Sequence, residues 1–189
     1  MNRLFIALKI PEEIREKIIS LRDAAIDNSN KYRWEAEDKI HLTLKFIGNV
    51  NEEFIEPLGD SLNFISDYNS FNCRLIRFGF FYQNNQATLP GREAKILWMG
   101  LSVDEKINQL VERINKELEA FSIAPEKRKF QPHLTLKRLK GDEESGFVKS
   151  FENYKVPDIQ FKAGEVALMK SDLLPHGSKY TEIKKYKLK

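Results

Sequence analysis

The sequence predicts a mixed helix-and-strand fold built from two copies of one strand–helix–strand–helix unit. Three observations predict it. The string HLTLK occurs at His41-Leu42-Thr43-Leu44-Lys45 and again, 92 positions later, at His133-Leu134-Thr135-Leu136-Lys137. Each copy follows a short apolar run (residues 4–8 and 94–101) and then a stripe of apolar residues at helical spacing. Leu4 precedes His41 and Ile96 precedes His133 by the same 37 positions, so the replay keeps a constant offset without a gap. No third copy exists, which excludes a solenoid. A chain of 189 residues suits one domain of two similar lobes, residues 1–189, with repeat halves at roughly 3–68 and 95–152.

Taken in order, residues 4–8 form a continuous apolar run that reads as a buried strand. Pro11-Glu12-Glu13 opens a helix, with proline in the first turn and acids at the positive end of the dipole. Ile14, Ile18, Leu21 and Ala25 give its buried stripe. Trp34 lies in an extended piece before the first HLTLK. From residue 40 to 47 the pattern alternates, with His41, Thr43 and Lys45 on one face and Leu42, Leu44 and Phe46 on the other. Gly48-Asn49 is expected to stop that strand. Asn51 can cap a second helix, weakened at Pro57 and Gly59. Residues 71–81 read as a strand, and 82–92 as a polar loop with Pro90-Gly91. A second apolar strand follows at 94–101. Ser102-Val103-Asp104-Glu105 has capping-box spacing ahead of a helix marked by Ile107, Leu110, Val111, Ile114 and Leu118. Asp142 can cap a fourth helix around residues 147–151. Residues 156–189 hold two or three strands, with a turn at 172–179 and a lysine-rich, solvated edge strand at the end.

Composition narrows the function. Hydrophobic residues make up 41% and charged residues 31%, an ordinary soluble mix. A net charge of +3 is too mild for a protein that coats nucleic acid, but it permits a phosphate-bearing substrate. The one cysteine, Cys73, can form neither an internal disulfide nor a cysteine metal cluster, and its alternating apolar surroundings assign it to the core. The N-terminal apolar run is too short and too charged for a signal peptide, and no run has the length of a membrane span. The expectation is a cytoplasmic protein.

On a strand, residues i and i+2 point the same way about 7 Å apart. Each HLTL therefore presents an imidazole and a hydroxyl on one side and anchors two leucines on the other. Two such mounts, related by an approximate two-fold axis, assemble two imidazoles and two hydroxyls. A phosphodiester suits that set. One imidazole takes a proton from the incoming oxygen and the other gives one to the departing oxygen. The hydroxyls of Thr43 and Thr135 donate to the non-bridging phosphate oxygens. Arg138 adds a fixed cation after the second string, although in a regular strand it points away from His133 and needs a bend to reach phosphate. Phe46 and Phe130 flank the strings; they read as core aromatics and also as candidate substrate-binding residues. His176, between Pro175 and Gly177, reads as a turn residue. No close-spaced ligand set suggests a metal, and no cofactor motif is present.

The residues RLFIAL from Arg3, HLTLKFIG from His41, ILWMGL from Ile96, FQPHLTLKR from Phe130 and SDLLPHGSKY from Ser171 resemble the two-histidine phosphoesterase superfamily. Within it they are most similar to the RNA 2',3'-cyclic phosphodiesterases, also called 2'-5' RNA ligases. The resemblance spans nearly the whole chain. It implies a bilobal α+β fold in which two antiparallel sheets flank a central cleft, with helices outside. It also implies metal-free hydrolysis of RNA 2',3'-cyclic phosphate ends, tRNA fragments among them, to 2'-phosphomonoesters; the sequence leaves the oligomeric state open, with a monomer as the default. His41 would be the proton donor to the leaving ribose oxygen and His133 the base that activates water. Thr43, Thr135 and Arg138 would bind phosphate, and ligation of 5'-hydroxyl RNA would be the same chemistry with a ribose hydroxyl in place of water. Alternatives are a phosphodiesterase for small cyclic nucleotides or 2',5'-linked oligonucleotides, and a module that binds a nucleotide without turning it over.

Overall fold

Strand β1 (Asn2–Lys9) runs through the middle of one half of the molecule and shows how the whole is built. Leu4, Ile6, Leu8 and Ile10 point into the core and are all but fully buried. The computed structural model describes residues 2–83, 93–126, 128–141, 143–175 and 177–189. After β1 come α1 (Glu12–Ala24), β2 (His41–Val50), α2 (Ile55–Ser61), β3 (Phe71–Tyr82), β4 (Ala94–Val103) and α3 (Lys106–Leu118). The chain then continues through β5 (His133–Arg138), α4 (Phe147–Asn153), β6 (Gln160–Ala163), β7 (Glu165–Leu174) and β8 (Gly177–Lys187).

The strands form one antiparallel sheet in the order β6-β3-β4-β5-β2-β1-β7-β8. Read from its centre outward, each half repeats the other: β5, β4 and β3 correspond to β2, β1 and β7. The two antiparallel sheets expected from sequence are the halves of this one sheet. They join where β2 meets β5, at the single registered pair Leu42↔Leu134. Joining there covers two strand edges that would otherwise present unpaired backbone groups.

The helices lie over the sheet face that carries the leucines. Helix α1 buries Ile14 and Ile18 there, and α3 buries Ile107, Leu110, Val111, Ile114 and Leu118. Helix α4 sets Phe147 and Phe151 against Phe80 of β3, with Phe78 beside Phe151. Cys73 is buried, as its alternation requires. The lysines near the C-terminus fall on β8, an edge strand, as expected.

Several local expectations are corrected. Gly48 does not stop the second strand. It pairs with Leu4 at φ +90, beside a register shift that leaves Ile47 as an extra residue, and the strand continues to Val50. Glycine reaches that backbone angle without a Cβ clash. The second helical stretch is a 3-10 turn, a seven-residue α-helix and another 3-10 turn, and Asn51 makes no side-chain cap. The capping box at 102–105 does not form, because Ser102 is still in β4. Asp104 instead accepts hydrogen bonds from the Asn72 backbone at 2.8 Å and side chain at 3.1 Å. The final turn is narrower than 172–179, because β7 runs to Leu174 and β8 starts at Gly177. Asp142, His176 and residues 84–92 of the expected loop lie outside the described residues.

The repeat offset also needs correction. Lys9 pairs with His41, and Gly100 pairs with His133. The histidine strands are therefore 92 residues apart, but their partner strands are 91 apart. One residue of difference is absorbed between the strands, where a connection tolerates a change in length.

Candidate active site

Because Leu42 and Leu134 face each other across the β2–β5 junction and point into the core, the residues flanking them point the other way. His41 and Thr43 on β2, and His133 and Thr135 on β5, thus share the sheet face that the helices leave open. In a regular antiparallel pair, diagonal neighbours of this kind are roughly 7–8 Å apart. The two histidines are close enough for a charge on one to disfavour a charge on the other.

One ring is tethered to the backbone two residues upstream. His133 Nδ1 lies 2.8 Å from the carbonyl of Gln131. A carbonyl only accepts, so Nδ1 carries the hydrogen and Nε2 of the neutral ring is free to accept a proton. The carbonyl of Lys39 lies near enough to His41 to raise its proton affinity. Its Nε2 is 3.2 Å from Thr43 Oγ1. Gln131 and Lys39 occupy the same place in the two repeats.

The walls are aromatic. Phe5 stacks on His41 with ring centroids 5.0 Å apart, and Tyr180 of β8 meets the same imidazole edge-on at 5.6 Å. On the other half, Phe81 meets His133 edge-on at 4.8 Å and Trp98 lies 5.4 Å beyond Phe81. Trp98 lies flat across Gly79, where an added Cβ would sit 2.3 Å from the indole, so only glycine fits there.

Burial sets the proton affinities. His41 is pushed down to about 4, chiefly by burial, with the Lys39 carbonyl opposing and the neighbouring His133 adding to the drop. Burial also lowers His133, opposed by the Gln131 carbonyl and helped by the Arg138 cation. Both imidazoles of the free protein are therefore neutral at pH 7, and an anion between them favours protonation of one.

The strand is not regular beyond the threonines. Ala7 pairs with Thr43 but Ile6 with Lys45, which leaves Leu44 as an extra residue. Trp98 pairs with Thr135 but Leu97 with Lys137, which leaves Leu136 extra in the same way. Both copies of the string thus hold a β-bulge at the fourth residue. The bulge overturns the expected alternation. Leu44 and Lys45 both turn inward, as do Leu136 and Lys137, and all four are buried. The next residue, Phe46 or Arg138, then returns to the histidine face. This is the bend that Arg138 needs to share a face with His133, and its Nε lies 3.5 Å from Glu35 Oε1. Phe46 is 60% exposed, its ring 6.3 Å from that of Phe5. Phe130 packs on the hydrophobic core instead.

Sequence reasoning missed Phe5, Phe81, Trp98, Tyr180 and Glu35. Phe5 could have been found from alternation, since it shares parity on β1 with Lys9, the partner of His41. Among the described residues no group of three or more His, Cys, Asp or Glu side chains converges as a metal site. No helix of the described residues is long and apolar enough to cross a membrane.

The chain is similar to known proteins along nearly its whole length. The pattern of the 2'-5' RNA ligase superfamily matches residues 10–173. An RNA 2',3'-cyclic phosphodiesterase of Methanocaldococcus jannaschii is 28% identical over 186 residues, covering 97% of this chain and 99% of its own. One of Thermotoga maritima is 26% identical over 179 residues, covering 94% of this chain and 91% of its own. Among solved structures, E. coli LigT complexed with 3'-AMP superposes with a TM-score of 0.74 at 25% identity, over 99% of this chain and 98% of that one.

Proposed function

The chain belongs to the 2'-5' RNA ligase superfamily, and from that membership we propose that it is an RNA 2',3'-cyclic phosphodiesterase. It hydrolyses the cyclic phosphate at an RNA end, tRNA fragments included, to a 2'-phosphomonoester. It works as a monomer, without metal. The observation that carries this reading is the pair of His–Thr mounts, identical in sequence, on one face of the sheet, flanking Leu42↔Leu134. Relatives named RNA 2',3'-cyclic phosphodiesterase, aligned over nearly the whole chain, support the choice of substrate.

His133 accepts the proton of the attacking water at Nε2, since Nδ1 already donates to Gln131. His41 protonates the departing ribose oxygen. Before it can do so it must gain a proton that burial withholds in the free protein, and the bound phosphodiester anion supplies the charge that allows this. Thr43, Thr135 and Arg138 take the non-bridging oxygens, where negative charge grows. A ribose 5'-hydroxyl in place of water would turn the same steps toward ligation.

RNA ending in a 2',3'-cyclic phosphate should give a 2'-phosphomonoester in excess chelator. The working state has one protonated and one neutral imidazole, and both free-protein affinities lie below the ordinary value of 6.5. The optimum of kcat/KM, which reports free enzyme, should therefore fall below pH 6.5, and that of kcat at higher pH. Loss of turnover with chelator, or turnover confined to cyclic mononucleotides, would refute the assignment.

A further inference from the structure

The repeated string is five residues long, yet the chemistry above uses only its first and third. Its fifth residue, Lys45 or Lys137, is buried in both copies. A lysine is an expensive side chain to bury, and a second leucine would serve the interior as well.

What the lysines touch differs. Lys45 Nζ donates to the carbonyl of Ala124 at 2.7 Å, reaching from the first repeat into the approach to the second string. Lys137 Nζ lies 3.0 Å from Glu143 Oε1, the two side chains only 6% and 7% exposed, and 5.7 Å from the ring centre of Tyr32. Glu143 is itself fixed. Its carboxylate accepts from the backbone of Gly141 at 3.1 Å and of Lys140 at 3.3 Å. Burial pushes this carboxyl up, but the hydrogen bond and charge of Lys137, with the backbone N–H groups of Lys140 and Glu143, outweigh it and hold it below the usual range.

The end of β5 is thus gripped from two sides. The carbonyl of the extra residue Leu136 accepts from Glu35 N at 2.8 Å, and the ammonium of Lys137 is clamped by Glu143. Between those grips the chain makes the bulge that turns the next side chain outward. Without the bulge, strict alternation would send Arg138 inward and Lys137 out.

We propose that Lys137, clamped by Glu143, is a positioning residue that fixes the bulge and so aims Arg138 at the substrate phosphate. Lys45 takes the corresponding position in the first repeat, held by the Ala124 carbonyl rather than an ion pair, and the residue after its bulge is Phe46. An apolar side chain would still point inward, but it would lack the directed ion pair that, with the partner strand, holds the bulge at Leu136. Fixing one register among near-equal alternatives is the best-attested use of a buried ion pair. The inference rests on the reading of this face as a phosphate site.

A double-mutant cycle on ligand binding tests it, with adenosine 2'-monophosphate as the probe. Lys137→Met should weaken binding about tenfold in the otherwise wild-type protein and by less than about twofold in an Arg138→Ala background. An equal factor in both backgrounds, or unchanged binding in Lys137→Met, would overturn the proposal. If Lys137→Met does not fold, Lys137→Met/Glu143→Gln removes both charges of the pair and takes its place in the same cycle. Turnover of cyclic-phosphate RNA by the wild type reports separately on the proposed reaction. A protein that binds the probe with the expected coupling but turns nothing over keeps this inference and loses the other.

Discussion

Replacing His41 or His133 by Ala should each lower kcat on cyclic-phosphate RNA by about 10²–10⁴-fold, the span general acid and base groups supply. The rings lie on the open face, so the loss is one of chemistry, and circular dichroism of both variants should match the wild type. Both imidazoles act on one displacement, so the double variant should lose far less than the product of the two single losses. The leaving group separates the roles. An aryl phosphodiester departs without needing a proton. With that substrate His41→Ala should recover most of its rate, while His133→Ala should stay impaired because water still needs its base. Near-wild-type kcat in either variant would end the assignment, and recovery by His133→Ala instead would exchange the two roles.

Thr135→Val and Thr43→Val keep the shape of the side chain and remove the hydroxyl. Each should cost kcat about 10²–10³-fold, the loss seen when one oriented donor to a developing oxyanion is removed. The two should differ in a second respect. Thr43 Oγ1 also lies 3.2 Å from His41 Nε2. Thr43→Val should therefore shift the pH–rate profile as well as lower it, whereas Thr135→Val should lower it in place. A kcat within threefold of wild type in both would remove the threonines from the site.

Much of this arrangement is written in the chain. His41 and His133 are legible because histidine is scarce here and the surrounding strings are identical, and the helical stripe of α3 is buried residue for residue. Alternation fails at Lys45, Phe46, Lys137 and Arg138, because it assumes a regular ladder and a bulge inverts every face beyond it. Nothing in HLTLK marks Leu44 or Leu136 as the extra residue. The bulge is fixed by the partner strands and, at Lys137, by Glu143, neither of which the string itself names. Tyr180 and Phe81 stayed hidden for a different reason. An aromatic on a strand ordinarily signals core, and only the sheet order brings β8 and β3 to the two histidines. The one-residue slip between repeats went unseen because apolar runs align equally well at 91 or 92.

In the proposed site His41 and His133 hold a single phosphate between them. The most direct measurement is a titration with adenosine 2'-monophosphate followed by the imidazole nitrogen resonances of both rings. Both sets should move together, with one midpoint, and stop at one equivalent of nucleotide. Movement of one ring alone, or two rings saturating at different concentrations, would contradict the claim.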